Sequence, residues 1–191
     1  NGQSSHLLLF APYNRIDYQD AFCTANVGSY DPNDKVGFPQ GIGQNSYIRP
    51  NTAINYRVRF QNTGTAVARF INILDTIDTD LDMATLEMGV SSHAYTWELL
   101  PNSNLGQSVI RITFDNIYLP DSTTDLAGSQ GFVYYSIAQK KDLPNFRTIN
   151  NNASIYFDYN VPIKTNTTLH TICDNCLPMN ISNASIITGL E

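Results

Sequence analysis

Acidic and amide side chains recur at short spacing in turn-rich segments, a pattern typical of calcium sites. The candidate ligands are Asp31, Asn33, Asp34, Asp78, Asp80 and Asp82. Calcium takes about six to eight oxygens from carboxylates, amides and carbonyls. An EF-hand is excluded, because Met83 stands where that loop has a glycine and Gly89 where it has its last glutamate. These residues have two interpretations, an irregular calcium site or solvated turn carboxylates. The sequence requires no cofactor.

The three cysteines could bind a metal, exchange electrons or form a disulfide. Cys173 and Cys176 have CxxC spacing, and Cys23 lies far away in the sequence. A zinc site would need about two further ligands, and no second CxxC or histidine pair supplies them. A redox CxxC is expected to open a helix, and no helical pattern follows it. We therefore expect a disulfide, either within the pair or from Cys23 to one of its members, with free thiols as the alternative.

Aromatic side chains are abundant, with 11 Tyr, 9 Phe and one Trp. Large rings are the usual filling of a β-sandwich core, so most of them need no ligand to explain them. Tyr95 and Trp97 are different, because they follow a turn-rich segment and could be exposed together. This pair carries the alternative hypothesis that the protein is a glycan-binding adhesion module.

The histidines give no sign of catalysis. His6, His93 and His170 are isolated in the sequence, with no HExxH or GxSxG motif and no Cys–His pair at a recognised spacing. We therefore expect a protein that is not an enzyme.

Composition excludes two classes of partner. The net charge is −6, the isoelectric point is near 4.9 and only 15% of residues are charged. Binding to nucleic acid needs a basic surface that releases phosphate counterions, and anionic lipid attracts basic segments. No apolar run approaches the roughly 20 residues of a membrane helix. The sequence therefore predicts no nucleic-acid partner and no membrane insertion.

Period-two alternation predicts the elements that must position these residues. It is clearest over Ala53–Gln61, where Ile54, Tyr56, Val58 and Phe60 alternate with polar residues. Further strands are predicted over Ala66–Leu74, Thr85–Val90, Thr96–Leu100, Ser108–Phe114, Phe132–Ala138, Ala153–Tyr159 and Thr167–Ile172. Turn residues separate them, and no long segment has helical periodicity. The fold class predicted is all-β, an antiparallel two-sheet sandwich.

Three regions follow from this pattern. Residues 29–172 form the predicted β-sandwich module, and residues 1–28 are a strap or the remnant of a preceding domain. Residues 173–191 are a predicted linker, because they are rich in Asn and Ser. The chain begins without a basic segment before its first apolar run, and Leu190-Glu191 has the form of a cloning scar, so we expect a fragment of a longer protein.

Several ordered motifs carry a resemblance to a known family. They are Ser29–Lys35, Tyr56–Gly64, Ile73–Asp78, Leu81–Asp82, Ser92–His93, Phe114–Ser122, Gly131–Val133 and Asn151–Ile163, with Thr165–Asn166 behind them. This series resembles the conserved-repeat, immunoglobulin-like β-sandwich domain of bacterial surface proteins. The most similar branch lies just before the C-terminal sorting domain of proteins exported by type IX secretion.

The resemblance implies an immunoglobulin-like sandwich, secreted to the bacterial outer cell surface, without catalytic turnover. Such a module would space, stiffen or present the neighbouring domains of the same polypeptide, which are its expected partners. Another surface protein or a glycan is a further expected partner. Kinship of fold does not by itself supply a function.

The resemblance also implies a chemical hypothesis. Some related repeats are similar to pilin and adhesin domains that crosslink themselves, where a lysine attacks an asparagine and a carboxyl group moves the protons. The matching residues are Lys35, which would open the first strand, Asp75, which would close an apolar strand, and Asn151, which would open the last strand. The reaction needs a buried amine that loses its proton and a buried acid. Asn150 and Asn152 compete as acceptors, and the alternative is that all are ordinary polar strand ends.

Overall fold

A computed structural model describes residues 32–101 and 107–176, and these residues form strands and loops without a helix. Twelve strands follow one another along these two ranges. They are β1 (Lys35–Phe38), β2 (Tyr47–Ile48), β3 (Ala53–Gln61), β4 (Ile71–Thr76), β5 (Leu81–Ser91), β6 (Thr96–Pro101), β7 (Ser108–Phe114), β8 (Gln130–Gln139), β9 (Thr148–Asn151), β10 (Ala153–Phe157), β11 (Ile163–Lys164) and β12 (Thr168–Ile172).

Two antiparallel sheets make up the sandwich. One has the strand order β1-β3-β8-β5 and the other the order β11-β10-β4-β7-β6. Ile54, Tyr56, Val58 and Phe60 of β3 are buried, so the alternation seen in the sequence marks the inner face of the first sheet. Ile71 and Ile73 of β4 face the same core from the second sheet. The prediction of an all-β, immunoglobulin-like antiparallel sandwich is confirmed.

A third, small sheet contributes Ile48, Ile149 and Ile172 to the core. Its order is β2-β12-β9, with β2 parallel to β12 and β9 antiparallel to it. Only Asn152 separates β9 from β10, so one nearly continuous segment joins the small sheet to the second large sheet. The sequence analysis missed β2, β9 and β11, because elements of two to four residues are too short to show a period.

Two of the predicted strand positions were wrong. The strand predicted from Ala66 begins only at Ile71, and Ala68 makes an isolated bridge with Leu119. The backbone N–H groups of Arg69 and Phe70 donate instead to Asp158 Oδ1, at 2.8 and 3.0 Å. Asn151 does not open the last strand of the fold but is the last residue of β9.

The strands of the sandwich run from Lys35 to Ile172, inside the predicted module of residues 29–172. The segment 1–28, with Cys23 and His6, lies outside the described residues, as does most of the predicted linker, 173–191. Cys173 and Cys176 are described and form a disulfide with each other, which decides between the pairings left open by the sequence. Within the described ranges, no helix has the length and apolar character needed to cross a membrane.

Candidate crosslinking site

Lys35 is held at the start of β1, on the edge of the first sheet. It pairs with Val58 of β3, and its side chain enters the sandwich and is fully buried. Asn166 fixes the backbone at this point: the Lys35 N–H donates to Asn166 Oδ1, and Asn166 Nδ2 donates to the Lys35 carbonyl, both at 2.9 Å. Because strand alternation fixes its direction, this lysine cannot turn to solvent without breaking the edge pairing.

Asp75 enters the same interior from the second sheet. On β4 the alternate residues Ile71, Ile73 and Asp75 are fully buried, so the carboxyl group occupies a position that two isoleucines occupy earlier in the strand. Its backbone neighbours are Ala153 of β10 and Ile110 of β7, both buried. The carboxylate therefore lies in an apolar surrounding, where an unpaired charge is costly.

Asn151 approaches from the end of β9. It pairs with Thr168 of β12, whose hydroxyl donates to the Asn151 carbonyl at 3.1 Å. The side chain of Asn151 is buried, whereas that of Asn150 is exposed and that of Asn152 is only partly buried. The structure therefore places Asn151, and not the two competing asparagines, against the interior of the sandwich.

The three predicted residues meet at the hydroxyl of Tyr135 on β8. Lys35 Nζ forms an ion pair with Asp75 Oδ2 and donates a hydrogen bond to the Tyr135 hydroxyl at 2.8 Å. That hydroxyl donates to Asp75 Oδ2 at 2.8 Å and accepts from Asn151 Nδ2 at 3.0 Å. Two side-chain oxygens in the cluster have no hydrogen-bond partner among the described residues, Asp75 Oδ1 and Asn151 Oδ1.

Tyr135 is the site residue that the sequence analysis missed. Alternation along Phe132–Tyr135 indicates that one of the two tyrosines faces the core, but not which polar groups its hydroxyl would meet. The signal in the sequence was the placement of a tyrosine at an inward position of a central strand. A buried Tyr hydroxyl usually finds a partner, so such a position predicts a polar group opposite it.

Burial dominates the electrostatics of the cluster. Desolvation lowers the pKa of Lys35 to about 8, although the charge of Asp75 acts in the opposite direction. Burial and the Asp75 charge together raise the pKa of Tyr135 well above its usual value, so its hydroxyl keeps its proton. The ammonium also lies 4.6 Å from the centroid of the Tyr56 ring. At mildly alkaline pH, a substantial fraction of Lys35 is therefore the neutral amine, and the protonated Tyr135 hydroxyl lies beside it.

The candidate calcium ligands are already engaged in other interactions. Asn33 Oδ1 accepts from the Gln61 backbone at 3.1 Å, and Asp34 Oδ1 accepts from Arg59 Nε at 2.6 Å. Asp80 pairs with Arg147. The remaining two accept backbone N–H groups: Asp78 from Asp80 and Asn150, and Asp82 from Ala84.

These acidic residues do not converge. Across residues 32–101 and 107–176, no three His, Cys, Asp or Glu side chains form a group that could hold a metal ion. Asp31 lies outside the described residues. Calcium binding therefore stays a prediction, and the described geometry does not support it.

The two aromatic residues of the predicted glycan platform differ in exposure. Trp97 is 45% exposed, but Tyr95 is partly buried, 5.9 Å from the Phe114 ring, and its hydroxyl donates to the Gly89 carbonyl at 2.8 Å. Only Trp97 of the pair is strongly exposed, and glycan binding stays a prediction.

Neither of the two described histidines is hydrogen-bonded to a side chain of the cluster. His93 has its ring nitrogen Nδ1 2.8 Å from Ser92 Oγ. His170 is buried and has Nε2 3.1 Å from the Pro39 carbonyl. Ser92 Oγ also accepts a hydrogen bond from the Phe132 N–H at 2.9 Å, so the neighbouring strand holds this serine in place.

Comparison with known proteins identifies the family. Residues 31–171 match the family described as "Domain of unknown function (DUF7619)". The chain belongs to this family. No curated protein matches the sequence. The matched range covers most of the module and includes Lys35, Asp75, Tyr135 and Asn151. The family description names no activity.

Solved structures show what the family fold is similar to. The C-terminal domain of the AgI/II polypeptide BspA of Streptococcus agalactiae is 13% identical with a TM-score of 0.53, over 74% of this chain and 49% of that chain. The chain thus spans about half the length of that structure. At this identity the similarity concerns the sandwich fold.

Two further structures overlap less well. The collagen-binding domain of a Staphylococcus aureus adhesin has 16% identity and a TM-score of 0.40, over 76% of this chain and 99% of that one. The major pilin SpaA of Corynebacterium diphtheriae, whose structure is described as pointing to "a modular pilus assembly stabilizing isopeptide bonds", has 11% identity and a TM-score of 0.49, over 72% of this chain and 37% of that one.

Proposed function

We propose that this domain is a non-catalytic structural module of a secreted bacterial surface protein, locked by an isopeptide bond between Lys35 and Asn151. One observation carries the proposal: Lys35, Asp75 and Asn151 converge in the interior although they come from three different sheets. A purely structural core has no need of a buried lysine, because well-packed apolar residues of similar volume are often as stable or more stable. A site in which the lysine amine reacts to form an amide explains why the cluster is buried.

The proposed reaction joins two side chains and releases ammonia. Lys35 Nζ loses protons and forms a bond to Asn151 Cγ, and the bond from Cγ to Nδ2 breaks. Holding both groups at the same buried hydroxyl turns a very slow amide exchange into an intramolecular step. It takes place once in each molecule, so the module is not an enzyme. No metal or cofactor is required.

The position of the bond suits a module that carries force. Lys35 is the first residue of the first strand, and Asn151 is the last residue of β9, near the end of the sandwich. A pull on the two ends of the module would be carried largely by the bond, so most of the strands between them would be shielded. This supports a role in spacing, stiffening or presenting neighbouring domains of the same polypeptide.

The location outside the cell rests on the resemblance, the fold and the disulfide. The ordered motifs from Ser29 to Asn166 resemble surface repeats that precede a type IX sorting domain. The sandwich is similar in fold to a domain of BspA, a streptococcal AgI/II polypeptide. The Cys173–Cys176 disulfide is the kind of bond that persists in an oxidising compartment. We infer secretion to the bacterial outer cell surface, with neighbouring domains as first partners.

Intact mass spectrometry of the reduced protein tests the proposal. The crosslinked chain should be lighter than the sequence mass by about 17 Da, one ammonia, and a protease digest should contain a branched peptide joining Lys35 to Asn151. A Lys35→Arg variant keeps the positive charge and should have the full mass. A wild-type protein with the full mass and separate Lys35 and Asn151 peptides would contradict the crosslink.

A further inference from the structure

The Tyr135 hydroxyl is the point where the cluster is connected. Among the hydrogen bonds of the described residues, it alone joins all three reacting groups, Lys35 Nζ, Asp75 Oδ2 and Asn151 Nδ2. Asp75 is bonded to the amine and to the hydroxyl, but none of its hydrogen bonds reaches Asn151. The carboxyl group can therefore remove a proton from the amine, but it does not contact the nitrogen that must leave.

The leaving nitrogen of Asn151 needs a proton donor. An amide nitrogen leaves as ammonia only if it gains a proton as the carbon–nitrogen bond breaks, since an amide anion is far too basic to depart. The side chains of the cluster are buried from bulk solvent, so solvent cannot readily supply that proton. Tyr135 lies 3.0 Å from Asn151 Nδ2, and burial keeps its hydroxyl protonated.

We propose that Tyr135 is a catalytic residue of the self-crosslinking reaction, which passes a proton from Lys35 Nζ to Asn151 Nδ2. This rests on the proposed function, because the relay has a role only if the isopeptide bond forms. Distances of 2.8 Å to Nζ and 3.0 Å to Nδ2 place the hydroxyl within direct transfer range of both atoms.

The protons and bonds balance as follows. The Lys35 ammonium gives one proton to Asp75, and the neutral amine attacks Asn151 Cγ, whose carbonyl oxygen takes up the electron pair. Tyr135 gives its proton to Nδ2 and takes one from Nζ. The Cγ–Nδ2 bond breaks, the carbonyl reforms, and neutral ammonia leaves. The products are a secondary amide, ammonia, a protonated Asp75 and an unchanged Tyr135.

The substitution Tyr135→Phe isolates the hydroxyl, because it keeps the ring that packs 5.2 Å from Tyr56. The matched control is Tyr134→Phe, the same change one residue earlier, where the side chain lies on the opposite face of the strand. Full-length variants would be made by cell-free translation with a short labelling pulse, and the fraction lighter by one ammonia would be followed by mass spectrometry. We expect Tyr135→Phe to slow crosslinking about 100-fold or more, and Tyr134→Phe to match the wild type.

Each outcome decides something different. Crosslinking of Tyr135→Phe at the wild-type rate would overturn the relay and leave the isopeptide bond intact. If Tyr135→Phe does not fold, Tyr135→3-fluorotyrosine keeps the hydroxyl and makes it more acidic. A changed rate and pH profile would then support the relay, and an unchanged rate and profile would overturn it. A wild-type chain that never loses ammonia would remove the proposed function itself.

Discussion

Asp75 of β4 lies directly opposite Ala153 of β10 in the antiparallel pairing. Asn151 comes two residues before Ala153, and both are buried. The pairing of β10 with β4 therefore places Asn151 close in sequence to the residue that lies opposite Asp75. Lys35 reaches the same place from the edge of the facing sheet, so the geometry of the site depends on three separate strand pairings.

Replacing the acceptor should abolish the crosslink and lower stability. In Asn151→Ala we expect the full sequence mass and a free energy of unfolding lower by about 5 kcal/mol, because a link that closes a loop of roughly 100 residues removes that much chain entropy from the unfolded state. Thermal unfolding should then occur about 10–20 °C lower. Asn150→Ala is the control, since its side chain is exposed, and a melting point equal to that of Asn151→Ala would contradict the assignment.

Removing the carboxyl group should do more damage than removing the acceptor. Asp75→Ala leaves the buried Lys35 amine without its ion-pair partner, which typically costs about 3–5 kcal/mol in addition to the lost crosslink. Urea unfolding of Asp75→Ala and Asn151→Ala would measure the difference. The double variant Lys35→Met/Asp75→Leu should recover much of the loss, because it removes both charges. If Asp75→Ala were as stable as Asn151→Ala, the ammonium would not be held in a dry site.

Stability should fall in mild acid because of His170. Burial lowers the pKa of His170 below its usual 6.5, so the unfolded chain takes up a proton before the folded chain does. The free energy of unfolding contributed by this group is therefore lost as pH falls through 6.5 toward the folded-state pKa. Urea unfolding between pH 7.5 and about 5 should show this decrease in the wild type and a smaller one in His170→Gln. Equal slopes for both proteins would count against a buried neutral imidazole.

The disulfide should matter much less than the crosslink. Cys173 and Cys176 close a very short loop, and the chain entropy that a link removes grows with loop length. In the double variant Cys173→Ser/Cys176→Ser we expect the free energy of unfolding to fall by about 2 kcal/mol at most. A loss as large as that of Asn151→Ala would mean that the disulfide holds β12 and the small sheet in place.

Local pattern predicted most of the strands because each strand carries its own period. Ala53–Gln61 and Ser108–Phe114 were predicted with the bounds observed in β3 and β7. The pattern failed where a strand is too short to show alternation, as in β2 and β11, and where a side chain replaces a ladder bond, as Asp158 does at Phe70. Those outcomes depend on partners far away in the sequence.

The candidate site also contains residues that the sequence predicted and one that only the structure revealed. Lys35, Asp75 and Asn151 were named from motifs that resemble a known family, and the structure brings them together. Tyr135 was not named, because its role depends on what lies across the interior from β8. The six candidate calcium ligands had the right chemistry and spacing, but those described are engaged by arginines and backbone N–H groups in separate places.

The sequence by itself determined the all-β class, the inward faces of the long strands and the residue types available for chemistry, because alternation and composition are local properties. Tertiary structure alone decided that Asn151 rather than Asn150 or Asn152 faces Lys35, that Cys173 pairs with Cys176, and that the Tyr135 hydroxyl joins the cluster. The physical reason is that burial and hydrogen bonding in this core arise from strand pairings between distant segments, and only the packed sheets specify which side chains meet.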